Sequence, residues 1–191
     1  EHTSRVCMEM DILSESLDLD HNDRNIAAAA ALLHDVARFE QYHKYGTFKD
    51  SKSEDHGDMG AAILEKDGVL DEIPADAARL VATAVRHHNK MDIPADLDAR
   101  AAMFVKMTRD ADKLDILSFA IDYYNGVGKY ADSKAVELDL EHSPDLNQEI
   151  IKTLLRGGKS SMAAMRTLND FKLLQMGWAY DLNFPKSREL F

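Results

Sequence analysis

The sequence predicts an all-α fold, a single helical bundle with a helical extension at its C-terminal end. Apolar residues recur at helical spacing through almost all of the 191 residues, as Val6, Met10 and Leu13 do on one face. No stretch alternates apolar and polar residues in the manner of a half-buried strand. Hydrophobic residues make up 45% of the chain and charged residues 30%, a balance typical of globular proteins. We therefore expect residues 1–125 to form a helical core and residues 126–191 an extension packed on it within the same domain.

In the N-terminal part, the pattern predicts helices that are separated by polar breaks. A first helix at residues 3–17 ends at the polar stretch 18–23, which offers N-caps to the next helix. Residues 26–39 are rich in alanine and predict a helix that is buried around most of its circumference. Residues 41–54, with Tyr, Lys and Gly, are interpreted as a loop. A further helix is predicted at residues 55–66.

In the C-terminal part, prolines and glycines place the boundaries. Pro74 and Pro94 each fit the first turn of a helix, where the N–H that proline lacks would be unpaired anyway. The first of these helices is expected to run to residue 88, and the second to Asp112, with a continuation to Tyr123 left open. Residues 125–134 are predicted to be irregular. Two further helices are predicted, at residues 145–155 and 161–178.

The charge and the cysteine content exclude several classes of function. The formal net charge is −11, which argues against binding duplex nucleic acid or an anionic membrane surface. No apolar run approaches the roughly 18 residues that a membrane helix needs. The single cysteine, Cys7, cannot form an intramolecular disulfide, and this suits a cytoplasmic protein. A small phosphorylated substrate is compatible with this net negative charge, because bound metals and a few nearby cationic side chains can make the electrostatic potential inside one cleft positive.

Histidines and aspartates close to predicted helix ends are the most informative feature of the chain. In order along the sequence they are His2, His34, Asp35, His56, His87, His88 and Asp112. Imidazole and carboxylate hold divalent metals when no thiolates are available, and side chains from several helices can converge on one point. The set therefore predicts a site for one or two divalent metals, with Asp35 as the natural bridge. The mixed nitrogen and oxygen donors suit Mn, Fe, Ni, Co or Zn, with Mg possible.

Single members of this set have simpler interpretations. His2 or His56 alone would be interpreted as a surface or capping residue, and one His-Asp dipeptide arises by chance in a chain of this length. The prediction therefore depends on the combined set. Which of His87 and His88 would bind a metal is left open by their adjacent positions.

The combined pattern resembles the HD-domain superfamily of metal-dependent phosphohydrolases over about residues 2–125. Three segments look like its core motifs: His2-Thr-Ser-Arg-Val6, Ala30-Ala-Leu-Leu-His-Asp-Val36 and Ala111-Asp-Lys-Leu-Asp115. The resemblance implies a first metal bound by His2, His34, Asp35 and Asp112. It also implies a second metal bound by His56 and by His87 or His88, as in the dinuclear members, with Asp35 bridging the two ions.

Departures from particular subgroups leave the substrate open. Asn89-Lys90-Met-Asp-Ile-Pro94 stands where the cyclic-dinucleotide phosphodiesterases carry a Gly-Tyr-Pro signature. Ala37-Arg38 occupies the region in which that group has a lysine after its His-Asp pair. The Glu-Asp pair typical of guanosine tetraphosphate hydrolases is also missing. The resemblance therefore implies the superfamily and its metal chemistry, without a particular substrate.

The predicted function is hydrolysis of a phosphomonoester or phosphodiester, with a nucleotide as the expected substrate, by a metal-activated hydroxide. Asp35 would take part in catalysis by binding the metals. Arg38 is the first candidate to neutralise phosphate charge, and Lys90 is the second. Lys113 and Arg109 rank below them. Three alternatives stay open: an HD-like di-iron oxygenase, a non-catalytic regulatory module that binds a nucleotide, and a purely structural metal, which is disfavoured because structural zinc sites prefer cysteine-rich shells. A homodimer is one possible assembly.

Overall fold

The computed structural model describes residues 1–126, 137–138 and 140–191. Close Cα packing divides the chain into two compact units, residues 1–112 and 113–191. Within the described ranges, the regular elements are helices and no β-strand occurs, although one isolated parallel bridge joins Glu141 and Thr167. The predicted all-α class is confirmed. None of the helices in these ranges has both the length and the apolar composition that a membrane crossing requires.

The first unit is built from the helices α1 (His2–Ser16), α2 (His21–Leu33), α3 (Ala37–Tyr45), α4 (His56–Lys66) and α5 (Ala75–His87) and from the first part of α6 (Ala99–Tyr124). Helix α1 packs on α2, α2 packs on α5, and α4 packs on both α3 and α5. Helices α1, α2, α4, α5 and α6 contribute apolar side chains to the core; fully buried side chains include Met10, Leu13, Leu64, Leu80 and Phe104. Truncating one of these large side chains to alanine typically costs about 2–5 kcal/mol of stability.

The predicted continuous helix at residues 26–39 is wrong, because the chain breaks between α2 and α3. His34 is the cause: its Nδ1 lies 2.8 Å from the carbonyl oxygen of Ala31, the acceptor that the N–H of Asp35 would use in a continuous helix. The backbone tightens there, with the N–H of Val36 bonded to the carbonyl of Leu33 at 3.0 Å. The break therefore arises from a side chain that competes for a backbone carbonyl.

The predicted loop at residues 41–54 is also partly wrong. Helix α3 continues to Tyr45 and ends at Gly46, whose φ of 66° is the left-handed conformation of a common C-cap. A single 3-10 turn, Asp50–Lys52, follows. The helix expected from Pro94 begins instead at Ala99, where the side chain of Asp98 accepts the N–H of Ala101.

The other predicted helices of the first unit are confirmed to within a residue or two. Helix α1 covers the range expected at residues 3–17, and α5 begins directly after Pro74. Helix α4 begins at His56 because the carboxylate of Asp55 accepts the N–H groups of Gly57 and Asp58, which satisfies two donors at the helix start.

The second unit contains the end of α6, then α7 (Gln148–Leu155), α8 (Leu168–Gly177) and α9 (Pro185–Leu190), with 3-10 turns at Met162–Ala164 and Trp178–Tyr180. Helix α7 starts three residues later than expected, at an N-cap formed by Asn147. Helix α8 starts seven residues later, where Thr167 and Asp170 form a reciprocal capping box. Of the predicted irregular stretch 125–134, residues 127–134 lie outside the described residues.

Candidate metal centre

The ends of several helices in the first unit meet at one cluster of imidazoles and carboxylates. His2 and His56 are the first residues of α1 and α4, His34 and Asp35 directly follow α2, His88 directly follows α5, and Asp112 lies in α6. Of the predicted metal ligands, the structure brings together His2, His34, Asp35, His56, His88 and Asp112. They form two groups that share Asp35.

The first group surrounds one oxygen of Asp35. Its Oδ2 lies 3.8 Å from the Nε2 atoms of both His2 and His34, which are themselves 3.2 Å apart. Oδ1 of Asp112 lies 3.3 Å from Nε2 of His2 and 3.7 Å from Nε2 of His34. Burial opposes ionisation of Asp112, yet the hydrogen bond from His2 and the neighbouring imidazoles hold the pKa of its carboxyl below the ordinary value. This group therefore offers two nitrogens and two ionised oxygens.

The second group surrounds the other oxygen of Asp35. Its Oδ1 lies 3.5 Å from Nε2 of His56 and 3.8 Å from Nε2 of His88, and the two imidazole nitrogens are 3.0 Å apart. Both imidazoles are buried. Asp35 thus presents one oxygen to each group, which is the arrangement that a bridging carboxylate requires.

The close approach of α4 to α5 allows His56 and His88 to meet. The residue after His56 is Gly57, and a Cβ atom there would lie 2.7 Å from the carbonyl oxygen of Arg86. That distance is too short for a carbon in contact with a backbone atom, so any larger residue would push the start of α4 away from α5. Gly57 is therefore needed to bring the two imidazoles together.

Hydrogen bonds to backbone carbonyls fix which ring nitrogen of His34 and His88 carries the proton. Nδ1 of His34 lies 2.8 Å from the carbonyl oxygen of Ala31, and Nδ1 of His88 lies 2.7 Å from that of Val85. A carbonyl only accepts, so each Nδ1 must donate, and a neutral ring then has its lone pair on Nε2. Burial lowers the pKa of His88 to about 4, so this imidazole is neutral at pH 7.

His56 is held in the same tautomer by a carboxylate. Its Nδ1 lies 2.7 Å from Oδ2 of Asp50. Burial opposes the ionisation of Asp50, but hydrogen bonds from His56 and Gln41 and the charge of Arg38 lower the pKa of its carboxyl to about 2. The ionised Asp50 accepts, so His56 donates from Nδ1. Its Nε2 accepts a hydrogen bond from Arg38 at 3.2 Å, which is consistent with a lone pair on that nitrogen.

The donor set of the second group fits a bound cation. The Nε2 atoms of His56 and His88 face each other at 3.0 Å, and neither carries a hydrogen in the neutral tautomer assigned above. Two lone pairs cannot bond to each other, whereas a metal ion binds neutral imidazole through this lone pair. A carboxylate that orients a histidine ligand through its other nitrogen, as Asp50 does, is typical of metal sites.

We expect the neutral rings of His34, His56 and His88 to carry their proton on Nδ1 in chelator-treated protein at pH 7. Because burial lowers the pKa of His88 to about 4, its ring should also stay neutral as the pH is lowered to about 5. Long-range ¹H–¹⁵N spectra report both the tautomer and the charge, and single His→Gln variants assign the signals. An Nε2–H signal from His56 or His88 would contradict the arrangement of lone pairs.

His87 is not part of the cluster. Adjacent residues on a helix point about 100° apart, and the structure directs His88, not His87, to the imidazoles of His34 and His56. Burial lowers the pKa of His87 as well, so burial of one histidine is not by itself a sign of a ligand. The choice between the two neighbours depends on where α5 ends, which the sequence left open.

The predicted phosphate-binding cations have different surroundings. Arg38 lies at the cluster, with Nε 3.1 Å from Oδ1 of Asp35. Lys90 forms ion pairs with Asp55 at 2.8 Å and Asp58 at 2.5 Å beside the start of α4. Lys113 belongs to the second unit, where it pairs with Asp181 at 3.0 Å. The structure therefore brings Arg38 to the proposed ligands and leaves the phosphate role of Lys90 and Lys113 as a prediction.

Three polar residues around the site were missed by the sequence reasoning. Asp50 orients His56, and the side chain of Asn89 donates to both Asp50 and Asp55. Gln41 is fully buried and binds the other oxygen of Asp50 at 2.8 Å. An acidic residue shortly before a candidate histidine is the signal that could have indicated Asp50, since ligating histidines commonly have such a partner.

The chain matches the family model of the HD domain over residues 1–125. No curated protein and no solved structure matches it. The matched range contains the clustered histidines and aspartates, and members of this family bind divalent metals through such residues. Because the match covers well over half of the 191 residues, the chain belongs to the HD domain family.

Proposed function

We propose that this protein is a phosphohydrolase that cleaves a phosphomonoester or phosphodiester with the help of one or two divalent metals. The HD domain indicates the superfamily of metal-dependent phosphohydrolases. The observation that carries the proposal is Asp35, whose two oxygens each face a separate group of imidazole nitrogens. A carboxylate placed in this way suits a pair of neighbouring metals, a common arrangement in enzymes that hydrolyse phosphate esters.

In the proposed site, His2, His34, Asp35 and Asp112 would hold the first metal, and Asp35, His56 and His88 would hold the second. A bound divalent metal supplies a Lewis acid for a phosphoryl oxygen and makes water acidic enough to yield hydroxide near neutral pH. The donors are mixed nitrogen and oxygen atoms, so the native metal belongs to the series Mn, Fe, Ni, Co and Zn, with Mg possible.

Groups of the protein itself orient the imidazoles and supply positive charge for the phosphate. The carbonyls of Ala31 and Val85 and the carboxylate of Asp50 hold three imidazoles with their lone pairs toward the site before any metal arrives. Arg38 places a permanent positive charge beside Asp35, where it can neutralise a phosphate oxygen. Such pre-organised charge acts without reorganisation during the reaction.

An aromatic pair supports a nucleotide as the substrate. The rings of Tyr42 and Phe48 stack with their centroids 4.8 Å apart, and both are more than half exposed. The pair is tied to the site, because Nη1 of Arg38 donates to the carbonyl of Phe48 at 2.8 Å. Aromatic side chains stack on nucleobases with about 1–3 kcal/mol per base, so this pair gives a base a surface near the candidate cation for its phosphate.

The test is a phosphate-release screen against nucleoside monophosphates, cyclic dinucleotides and p-nitrophenyl phosphate, with each candidate metal added to chelator-treated protein. We expect metal-dependent hydrolysis under both aerobic and anaerobic conditions. Phe48→Ala should raise KM for a nucleotide about tenfold, as expected from the loss of one stacking contact, and leave p-nitrophenyl phosphate unaffected. Turnover that requires dioxygen would instead favour the di-iron oxygenase, and binding of nucleotide without turnover would favour the regulatory module.

A further inference from the structure

Arg38 contacts two of the three donor residues in the second group. Its Nε donates to Oδ1 of Asp35 at 3.1 Å, and its Nη2 donates to Nε2 of His56 at 3.2 Å. These are the same two atoms through which Asp35 and His56 would bind the second metal. An oxygen lone pair and a nitrogen lone pair that point at a guanidinium are not available to an ion at the same time.

The guanidinium is held in this position from its other side. Nη1 of Arg38 donates to the side-chain oxygen of Gln41 at 3.0 Å and to the carbonyl of Phe48 at 2.8 Å. The amide nitrogen of Gln41 donates in turn to Asp50 at 2.8 Å, to the hydroxyl of Ser53 at 2.9 Å and to the carbonyl of Glu54 at 3.1 Å. The buried amide is therefore oriented so that its oxygen is aimed at Arg38.

The contact is specific to one side of Asp35. The hydrogen bond from Arg38 goes to Oδ1, which faces His56 and His88, whereas His2 and His34 lie beside Oδ2. A guanidinium is charged at every accessible pH, so it also repels a divalent ion placed among the same donors. Arg38 should therefore lower the metal affinity of the first group far less than that of the second.

We propose that Arg38 and the second metal are alternative cations of the second group, so that Arg38 sets a weaker affinity for the second ion than for the first. This inference rests on the proposed function only in taking the two groups as metal sites. The protein then holds one ion at low metal concentration, with the guanidinium neutralising Asp35. At higher concentration the second ion displaces the guanidinium, which leaves Arg38 available to an anionic substrate.

The experiment measures Mn²⁺ bound by chelator-treated protein after equilibrium dialysis against a series of free Mn²⁺ concentrations, with metal counted by inductively coupled plasma mass spectrometry. Arg38→Ala removes the competing charge, and Arg38→Met removes it while keeping the apolar stem. In both variants we expect the Kd of the second ion to fall about tenfold or more relative to the wild type, since a unit charge near a divalent ion is removed. The Kd of the first ion should change by no more than about twofold.

Arg79→Ala is the matched control, because Arg79 also pairs with an aspartate three residues earlier, on the exposed surface of α5. It should leave both Kd values unchanged. Circular dichroism shows whether Arg38→Met is folded. If the folded variant binds the second ion with a Kd equal to or higher than that of the wild type, the proposed competition is wrong. Absence of bound Mn²⁺ from the wild type and the variants would overturn the two metal groups themselves, and with them the proposed function.

Discussion

Asp35→Asn is expected to remove metal from both groups and to lower kcat/KM on the order of a thousandfold or more, the size of effect typical when a group central to the chemistry is lost. The substitution keeps the size of the side chain but replaces a charged carboxylate by a neutral amide with one oxygen. Oδ2 of Asp35 lies 3.8 Å from the imidazoles of the first group, and Oδ1 lies 3.5 Å from His56 in the second. A neutral amide supplies an anionic oxygen to neither group, so the two metals should be lost together.

This prediction is tested by the metal content of the variant after dialysis against a Mn²⁺ concentration that fills both groups of the wild type, measured together with phosphate release. Asp76→Asn is the matched control, since Asp76 is an exposed carboxylate in the first turn of α5 and pairs with Arg79. It should keep full metal content and full turnover. Two tightly bound ions in Asp35→Asn would rule out a bridging role for Asp35, and loss of only one ion would assign it to a single group.

Arg109→Met is expected to lower the free energy of unfolding by about 4 kcal/mol, because several charge-assisted hydrogen bonds to backbone carbonyls are lost at once. Arg109 is buried, and its Nη1 lies 3.3 Å from the carbonyl oxygens of His87 and His88 and also donates to that of Lys90. The last carbonyls of a helix have no N–H partner within the helix, although the N–H of Lys90 lies 3.4 Å from the carbonyl oxygen of His87. The guanidinium therefore caps the end of α5, just where His88 leaves the helix.

Urea unfolding of chelator-treated protein gives this value directly, and metal binding should weaken in the same variant because His88 loses its support. Arg79→Met serves as the control: its ion pairs are exposed, so its stability should change by less than about 1 kcal/mol. A loss below about 1 kcal/mol in Arg109→Met would show that other groups satisfy these carbonyls.

The helices could be predicted from the sequence where one feature dominates the boundary. Asp55 marks the start of α4 because an aspartate is a strong N-cap. Pro74 marks the start of α5, which begins at the next residue, because a helix tolerates proline only at its start. The end of α2 could not be predicted, because alanine-rich sequence favours a continuing helix. The competing bond from Nδ1 of His34 to a backbone carbonyl is visible only in three dimensions.

The candidate site was predictable in its residue types but not in its internal contacts. The order of histidines and aspartates was enough to predict one cluster, and six of the seven predicted ligands lie in it. The i,i+3 spacing of Asp35 and Arg38 permits their ion pair, but nothing in the sequence indicated that Arg38 would also contact His56. That contact and the one to the backbone of Phe48 join residues that no spacing rule connects.

The bonds from His34 and His88 to carbonyls three residues earlier also have an evolutionary consequence. In both places the imidazole ends its helix, so one residue determines both where the chain turns and what it can bind. Loss of His34 to a strong helix former would release the carbonyl of Ala31 and allow α2 to run on into α3. A substitution at either position would therefore change the length of a helix as well as the candidate metal group, so the fold and the site constrain these two histidines together.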